Sequence, residues 1–459
     1  MSDKIKGHAS VIDSKRELML SGPIAKVIVR LSAPTTFVML MQISMSLVEL
    51  SYVGRLGVDY LAAISLVYPF FLFVSTMSSG GIGAGITATV ARSIGLKKKT
   101  HLSEIVSSGA VISLFFGILI AIVFLAFGKH LFYLMGARDS VLDAAVRYSN
   151  IAFCGAIFIW TFNGLASVLR GIGSVAPPAR FALFGAPIVM LVTPTLIVGG
   201  SVFGGIGLIG GIVALISYYA IGSIYLGWEV WKLGIRMNWQ VIGFGSGSYF
   251  RAILSIGIPS SAITGILNIN TIMLTGIVGA NFAPQVLAGY GAGSRLDLAL
   301  LPILFGIGSA ATTLAGVNIG ASQFKRAIHA TWISAMLAFI TTGVIGVLAA
   351  IFPWFWIGLF SSDVNVLEAG SLYLTVVGPA YGFLGIGTVL FFASQGLGKL
   401  KWSWRGTLLR LAVASGGALI AVTAAQPFWI VALAIAISYV VMAAVLSKPF
   451  WSSSDPQTT

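Results

Sequence analysis

Long apolar stretches, separated by short polar or Gly- and Pro-rich segments, run through almost the whole chain. Their apolar residues do not alternate with polar ones as in a half-buried strand, and most stretches approach the roughly 20 residues that a helix needs to cross a bilayer. Lipid offers the backbone no hydrogen-bond partners, so continuous apolar runs of this length favour spanning helices. We predict about twelve spans, at residues 25–53, 60–85, 103–127, 146–168, 179–199, 205–227, 252–279, 286–315, 330–351, 368–393, 407–425 and 427–447.

The composition agrees with an integral membrane protein. Of 459 residues, 57% are hydrophobic and only 9% are charged, which is more apolar surface than a soluble core of this size could bury. The first 22 residues are polar and of mixed charge, without the apolar core of a secretory signal. Cys154 is the single cysteine, so the sequence predicts neither an intrachain disulfide nor a thiolate zinc cluster.

The basic residues are distributed unequally between the predicted loops. Of the 27 Lys and Arg, 22 fall at the termini and in the even-numbered loops, four fall in the odd-numbered loops, and Arg295 lies inside the eighth span. The positive-inside rule therefore places both termini in the cytoplasm of a bacterial-type plasma (inner) membrane. We interpret the net charge of +14 as an orientation and lipid-contact signal, and expect no nucleic-acid partner.

The chain matches itself at a constant offset of 225 residues. Pro34 corresponds to Pro259, Tyr148 to Tyr373 and Gly173 to Gly398, without gaps over more than 140 residues. Two six-helix halves of the same orientation follow, because six is an even number of spans. The predicted organisation is a cytoplasmic tail at 1–24, an amino-terminal lobe at 25–227, a cytoplasmic linker at 228–251, a carboxy-terminal lobe at 252–447 and a second cytoplasmic tail at 448–459.

This all-α organisation is typical of transporters. Parallel repeats of this kind enclose a central cleft near the bilayer midplane and expose it to alternate sides by rocking one half against the other. We expect small-molecule substrates, and a monomer, because both halves of the pathway lie in one chain.

Glu49 is the candidate functional residue in the first span. Placing an acid in a membrane helix costs roughly 2.5–3.5 kcal/mol, which favours a functional role. Gln42, Ser46 and Glu49 follow the i, i+4, i+7 spacing of one helical face, with Met45 beside them. This face is predicted to line the cleft, where the carboxyl could exchange a proton or hold a cation. The alternative is that Glu49 lies at the outer interface and only meets water.

Asp297 is the second acid assigned to a span. Arg295 lies two residues away, and side chains at i and i+2 do not face each other along a helix. Asp297 is therefore a second candidate for proton or cation coupling, while Arg295 is expected to point elsewhere. An internal ion pair or a helix-end anchor is the alternative.

Buried amides and prolines complete the candidates. Asn163, Asn268 and Asn270 either join neighbouring helices, the commoner use, or line the cleft. Thr193 is a further candidate for the cleft. Candidate hinges are Pro34, Pro194 and Pro259, since proline interrupts helical hydrogen bonding.

The chain resembles the multidrug and toxic compound extrusion (MATE) family over residues 25–447. The resemblance rests on Gln42 to Glu49 followed by YVGRLG, LRGIG at 169–173, AGVNIGAS at 315–322 and ASQGLGK at 393–399, in this order on the repeat. It implies secondary active efflux of organic, often cationic compounds, driven by protons or sodium, with no organic cofactor. Glu49 matches the acid that the family carries in its first span.

The sequence departs from the family pattern in ways that affect the coupling ion. Thr193-Pro194 stands where the fifth span of the family carries Asp-Pro, and no acid lies between Tyr373 and Phe392. With Glu49 as the remaining acid of that site, protons are favoured over sodium, which usually needs several oxygen ligands; if sodium couples transport, Glu49 is its ligand.

Two other functions were weighed. A lipid-linked sugar or polysaccharide flippase of the same superfamily would need basic residues in the cleft, and the spans offer only Arg295. An intramembrane transferase would need His or clustered acids at a membrane face. No P-loop, HExxH or GxSxG motif is present, so the sequence predicts a transporter and not an enzyme.

Overall fold

The computed structural model describes residues 2–98, 101–199, 204–237 and 247–451. An amino-terminal helix, Ser2–Ser21, precedes twelve helices long and apolar enough to cross a membrane, which confirms the predicted all-helical class and number of spans. Spans 1 to 12 are Ile24–Val53, Val58–Gly95, Leu102–Leu134, Asp139–Ile172, Ala176–Val198, Ile209–Lys232, Ser248–Asn281, Pro284–Gly320, Phe324–Ile351, Val364–Leu397, Lys401–Thr423 and Phe428–Trp451.

The spans are longer than predicted at the proposed linker. Span 6 continues to Lys232 and span 7 begins at Ser248, so helical residues occupy both ends of the segment 228–251. Its middle, 238–246, lies outside the described residues, as do 452–459 of the predicted second tail. The cytoplasmic location of the linker and tails stays a prediction.

The helices form two compact units. One contains residues 2–18 and 34–258, and the other contains residues 19–33 and 259–451. The chain therefore passes from one unit to the other at Leu18–Met19, within the amino-terminal helix, and at Ala33–Pro34 and Ile258–Pro259, inside spans 1 and 7. These two prolines are equivalent in the repeat.

Equivalent helices form the centre of each unit. Span 4 packs against spans 2, 3 and 6, and span 10 packs against spans 8, 9 and 12. The Thr87 hydroxyl donates to the Ser167 carbonyl at 3.0 Å, and at the offset of 225 the Thr312 hydroxyl donates to the Phe392 carbonyl at 2.7 Å. The same polar bond thus fastens the central helix of each half.

Four local irregularities interrupt the spans. Span 4 breaks at Gly155 and span 10 at the 3₁₀ turn Gly378–Ala380, which are equivalent positions in the repeat. Spans 2 and 11 each contain a π-helical turn, Met77–Ile82 and Ala412–Gly416, and these two turns are not equivalent. Such turns free backbone groups and concentrate at functional sites.

Candidate functional site

Glu49 is enclosed by two other helices of the first unit. It lies one turn before the end of span 1 and is 7% exposed. The Tyr148 hydroxyl of span 4 donates a hydrogen bond to its Oε1 at 2.9 Å. Gly211 of span 6 lies against the carboxyl, and a Cβ there would be 2.6 Å from Cγ and Oε1. Only glycine leaves room for Glu49 in this position.

The face that Glu49 shares points inward over two further turns. Met45 is buried and Gln42 and Ser46 are half-buried, whereas Ile43, Leu47 and Leu50 are exposed. The spacing of the polar residues therefore corresponds to the less exposed side of span 1. Thr193, where the family pattern has an acid, is buried in span 5.

Asp297 lies in a cluster of tyrosines in the second unit. Its Oδ2 accepts a hydrogen bond from the Tyr439 hydroxyl at 2.7 Å and a longer one from the Tyr373 hydroxyl at 3.5 Å. Its Oδ1 is buried and accepts no hydrogen bond of regular geometry in the described part of the chain, although the Tyr381 hydroxyl lies close enough to interact with the carboxyl. A buried acceptor left in this state is costly unless a proton or a cation occupies it.

Arg410 supplies positive charge beside the same cluster. Its guanidinium carbon lies 4.7 Å from the centroid of the Tyr439 ring, and the guanidinium interacts electrostatically with Asp297. Tyr381 completes the surroundings, 6.3 Å from Tyr439 between ring centroids. The count of loop charges placed Arg410 on the cytoplasmic side; it lies instead inside span 11.

Arg295 points away from Asp297, as expected from their spacing. Its guanidinium carbon is 5.0 Å from the Phe360 ring centroid, and the side chain is exposed. No ion pair joins Arg295 and Asp297 among the described residues. The proposed internal ion pair is therefore not formed.

The three amides make hydrogen bonds within their own halves. Asn163 donates to the Ser78 hydroxyl of the π-helical turn in span 2 at 2.7 Å, and Asn270 accepts from the Ser415 hydroxyl of the π-helical turn in span 11 at 2.8 Å. Asn268 donates to the Thr264 carbonyl of its own helix at 3.0 Å. Asn163 and Asn270 thus join helices, and contact with a substrate stays a prediction for all three.

Sequence reasoning missed the partners of both acids. Tyr148 and Tyr373 were recognised only as a matched pair in the repeat, and Tyr439, Arg410 and Gly211 were not singled out. One sequence signal could have pointed to them: a tyrosine occupies the same position in both halves of the repeat, at Tyr148 and Tyr373. The acids themselves are not equivalent, since Leu274 stands opposite Glu49 and Leu72 opposite Asp297 at the offset of 225.

Comparisons with known proteins agree with this architecture. A family model described as MatE matches residues 34–195 and 259–415, and both segments begin at the repeat-equivalent prolines. The chain is 26% identical to a protein named "FAD transporter" from Shewanella oneidensis, over 83% of each chain. It is 22% identical to "Probable multidrug resistance protein YoeA" from Bacillus subtilis, over 78% of each chain.

The fold matches a solved structure over nearly its full length. The "Outward-facing conformation of a multidrug resistance MATE family transporter of the MOP superfamily" superposes with a TM-score of 0.84 at 22% identity, covering 93% of this chain and 95% of that one. At this identity the match establishes the fold with two repeated halves.

Proposed function

Because the chain belongs to the MatE family, we propose that it exports organic, cationic or amphipathic compounds across a bacterial plasma membrane in exchange for protons, with Glu49 as a coupling acid. The family consists of membrane transporters, which removes the intramembrane transferase as an alternative. The multidrug names of several relatives support organic compounds as the substrate class.

The observation that carries the proposal is the enclosure of Glu49 by Tyr148 and Gly211. A carboxylate desolvated in this way, with one hydroxyl donor, is stabilised when it takes up a proton or a cation. A cationic substrate and a proton would then compete for the same group, which is the requirement for exchange. Gln42, Met45 and Ser46 on the same helical face are proposed to contact the substrate.

Protons are favoured over sodium by the small number of oxygen atoms at the carboxyl. In the part of the chain that the structure describes, the carboxyl of Glu49 is hydrogen-bonded to the Tyr148 hydroxyl, whereas hard cations in proteins usually take about six oxygen ligands. Thr193 stands where the family pattern has the second acid.

Asp297 is proposed as a second coupling acid. Its Oδ1 can carry a proton while Oδ2 keeps the Tyr439 hydrogen bond. We further propose that Pro34, Pro194 and Pro259 act as hinges of alternating access. Pro34 and Pro259 lie at two of the three points at which the chain changes unit. The chain is proposed to act as a monomer with both termini in the cytoplasm.

Transport in proteoliposomes tests the proposal. Ethidium flux would be measured under an imposed proton gradient, and separately under a sodium gradient, for wild type, Glu49→Gln and Asp297→Asn. We expect Glu49→Gln to lose gradient-driven flux because its amide carries no exchangeable charge, and Asp297→Asn to lower the number of protons moved per substrate. Ser44→Ala, which removes a hydroxyl bonded only to the Leu40 carbonyl of the same helix, is the control for packing.

Unchanged gradient-driven flux in Glu49→Gln contradicts the proposal. If only the sodium gradient drives flux, the coupling ion is sodium and not the proton. If wild type moves none of a panel of organic cations, the proposed substrate class is wrong. Flippase activity of the same superfamily, measured with a lipid-linked sugar, is then the next function to test.

A further inference from the structure

A groove lies between spans 5 and 6 within the first unit. It encloses about 550 Å³, and its walls are apolar apart from Ser217, two tyrosines and Arg180, its one charged lining residue. The lining of span 5 runs from Arg180 to Leu196, sixteen residues or about 24 Å at a rise of about 1.5 Å per residue. One leaflet contributes about 15 Å of hydrocarbon. The cavity is therefore long enough for an extended acyl chain.

The positive charge of this groove is concentrated at one end. Arg180 is the fifth residue of span 5 and is exposed, and no ion pair to it is present among the described residues. The nearby carboxylate of Glu229 is instead paired with Lys232 at 3.2 Å. Tyr225 stacks on Phe181 with ring centroids 5.6 Å apart and lies within electrostatic reach of Arg180. The Tyr225 hydroxyl itself lies beside the Glu229 carboxylate, so an anionic group at this end would meet the guanidinium of Arg180.

The surroundings of Arg180 have the composition of a membrane interface. Trp228 follows Tyr225 on span 6, with ring centroids 6.4 Å apart, and the Lys232 ammonium lies 3.0 Å from the centroid of the Trp228 ring. The second half has a similar group at its last two spans: Trp402, with the guanidinium of Arg405 at 4.9 Å and the ammonium of Lys448 at 5.8 Å. Arg405 is the repeat equivalent of Arg180. Tryptophan with basic residues marks the headgroup level of anionic leaflets.

The long walls of the groove are open to the surface of the chain. Phe184, Ile188 and Ile221 are each more than half exposed. In a membrane these side chains meet acyl chains, and a chain lying between them would contact both helices at once. The groove thus has an apolar stretch that fits an acyl chain and, at one end, a basic residue that fits the phosphate of the same lipid.

We propose that this groove is a specific site for one anionic phospholipid of the leaflet facing Arg180. The phosphodiester oxygens accept hydrogen bonds from the planar guanidinium of Arg180, a geometry that arginine favours. One acyl chain lies between spans 5 and 6. Its occupancy fixes the spacing of these helices, and span 6 carries the Gly211 that packs against Glu49.

Photolabelling of the purified full-length protein tests the site without any ion gradient. A phosphatidylglycerol with a photoactivatable diazirine in one acyl chain is added to the detergent-solubilised chain, and labelled peptides are mapped by mass spectrometry. We expect saturable labelling of the segments around Ile188 and Ile221. Arg180→Gln should lower it about fivefold, the contribution of one basic residue near an anionic lipid surface. Arg405→Gln, at the equivalent position of the other half, should leave it unchanged.

A second variant separates shape from charge. Ile221→Trp fills the groove and leaves Arg180 intact, and it should abolish the saturable label while the protein keeps its elution volume and thermal midpoint. Equal labelling by the matched phosphatidylcholine probe, or labelling that Arg180→Gln does not change, overturns the proposal. Displacement of the label by excess ethidium would also overturn it, because the groove would then belong to the substrate route. Loss of ion coupling in Glu49→Gln has no bearing on any of these outcomes.

Discussion

At the scale of single residues, one repeated tyrosine serves two acids that are not repeated. Tyr148 and Tyr373 occupy equivalent places in the central helix of each half, yet Glu49 reaches the first from span 1 and Asp297 reaches the second from span 8. A buried phenol can donate to any carboxylate that enters its surroundings. The tyrosine position is therefore a common feature of both halves, and the origin of the acid differs between them.

The two tyrosines are expected to differ in importance. Tyr148→Phe removes the hydrogen bond to Glu49, and bonds of this kind to charged groups contribute about 1.5–3 kcal/mol, so gradient-driven initial flux should fall roughly 10- to 100-fold. Tyr373→Phe is the matched control, because Asp297 keeps the shorter hydrogen bond from Tyr439. Gradient-driven flux should therefore fall much less in this variant. Equal losses in both variants, measured as initial ethidium flux in proteoliposomes, would contradict this assignment.

At the same scale, Gly211 is expected to accept no side chain. Gly211→Ala places a methyl group 2.6 Å from the Glu49 carboxyl, so the carboxyl must leave its position beside Tyr148. We expect coupled flux to fall as in Tyr148→Phe, measured in the same assay. Gly276→Ala is the control, because a Cβ there meets nothing within 4 Å. Wild-type flux in Gly211→Ala would show that the packing of span 6 does not hold Glu49 in place.

At the scale of helices, the central span of each half ends in the same way. Gly173 closes span 4 with φ 77° and Gly398 closes span 10 with φ 67°, both in the left-handed region where only glycine is unstrained. The sequence shows this as the matched segments RGIG at 170–173 and QGLG at 395–398. The π-helical turns of spans 2 and 11 have no comparable signal, because they depend on the partners Asn163 and Asn270 in neighbouring helices.

The two caps should be similarly sensitive. Gly173→Ala and Gly398→Ala force a Cβ into the left-handed conformation, which costs roughly 1–2 kcal/mol per residue. We expect a lower thermal midpoint for both in the same detergent and lipid. Gly276→Ala again serves as the control, since its backbone is helical and its surroundings are open. A control that loses as much stability as the caps would show that the left-handed conformation is not the cause.

At the scale of the whole molecule, charge asymmetry predicts orientation. With Arg410 counted inside span 11, 21 basic residues are assigned to one side and four to the other, which places residue 459 in the cytoplasm and the loop after span 3, near Gly136, outside. Alkaline phosphatase, which is active only outside the cytoplasm, should be inactive when fused at 459 and active when fused after Gly136. The opposite pattern would reverse the predicted topology, and a fluorescent protein at 459 is the complementary control.

The sequence by itself determined the membrane class, the twelve spans, the two repeated halves and the family, because these depend on hydrophobic length, constant offset and ordered motifs. It also identified Glu49 and Asp297, since a charge in an apolar stretch is visible without coordinates. The tertiary structure decided which groups surround them. Tyr148 meets Glu49 across 99 residues and Tyr439 meets Asp297 across 142, contacts that arise from helix packing and leave no local pattern in the sequence. The groove at Arg180 arises in the same way, between two helices whose sequences are mostly apolar and give no sign of a shared groove.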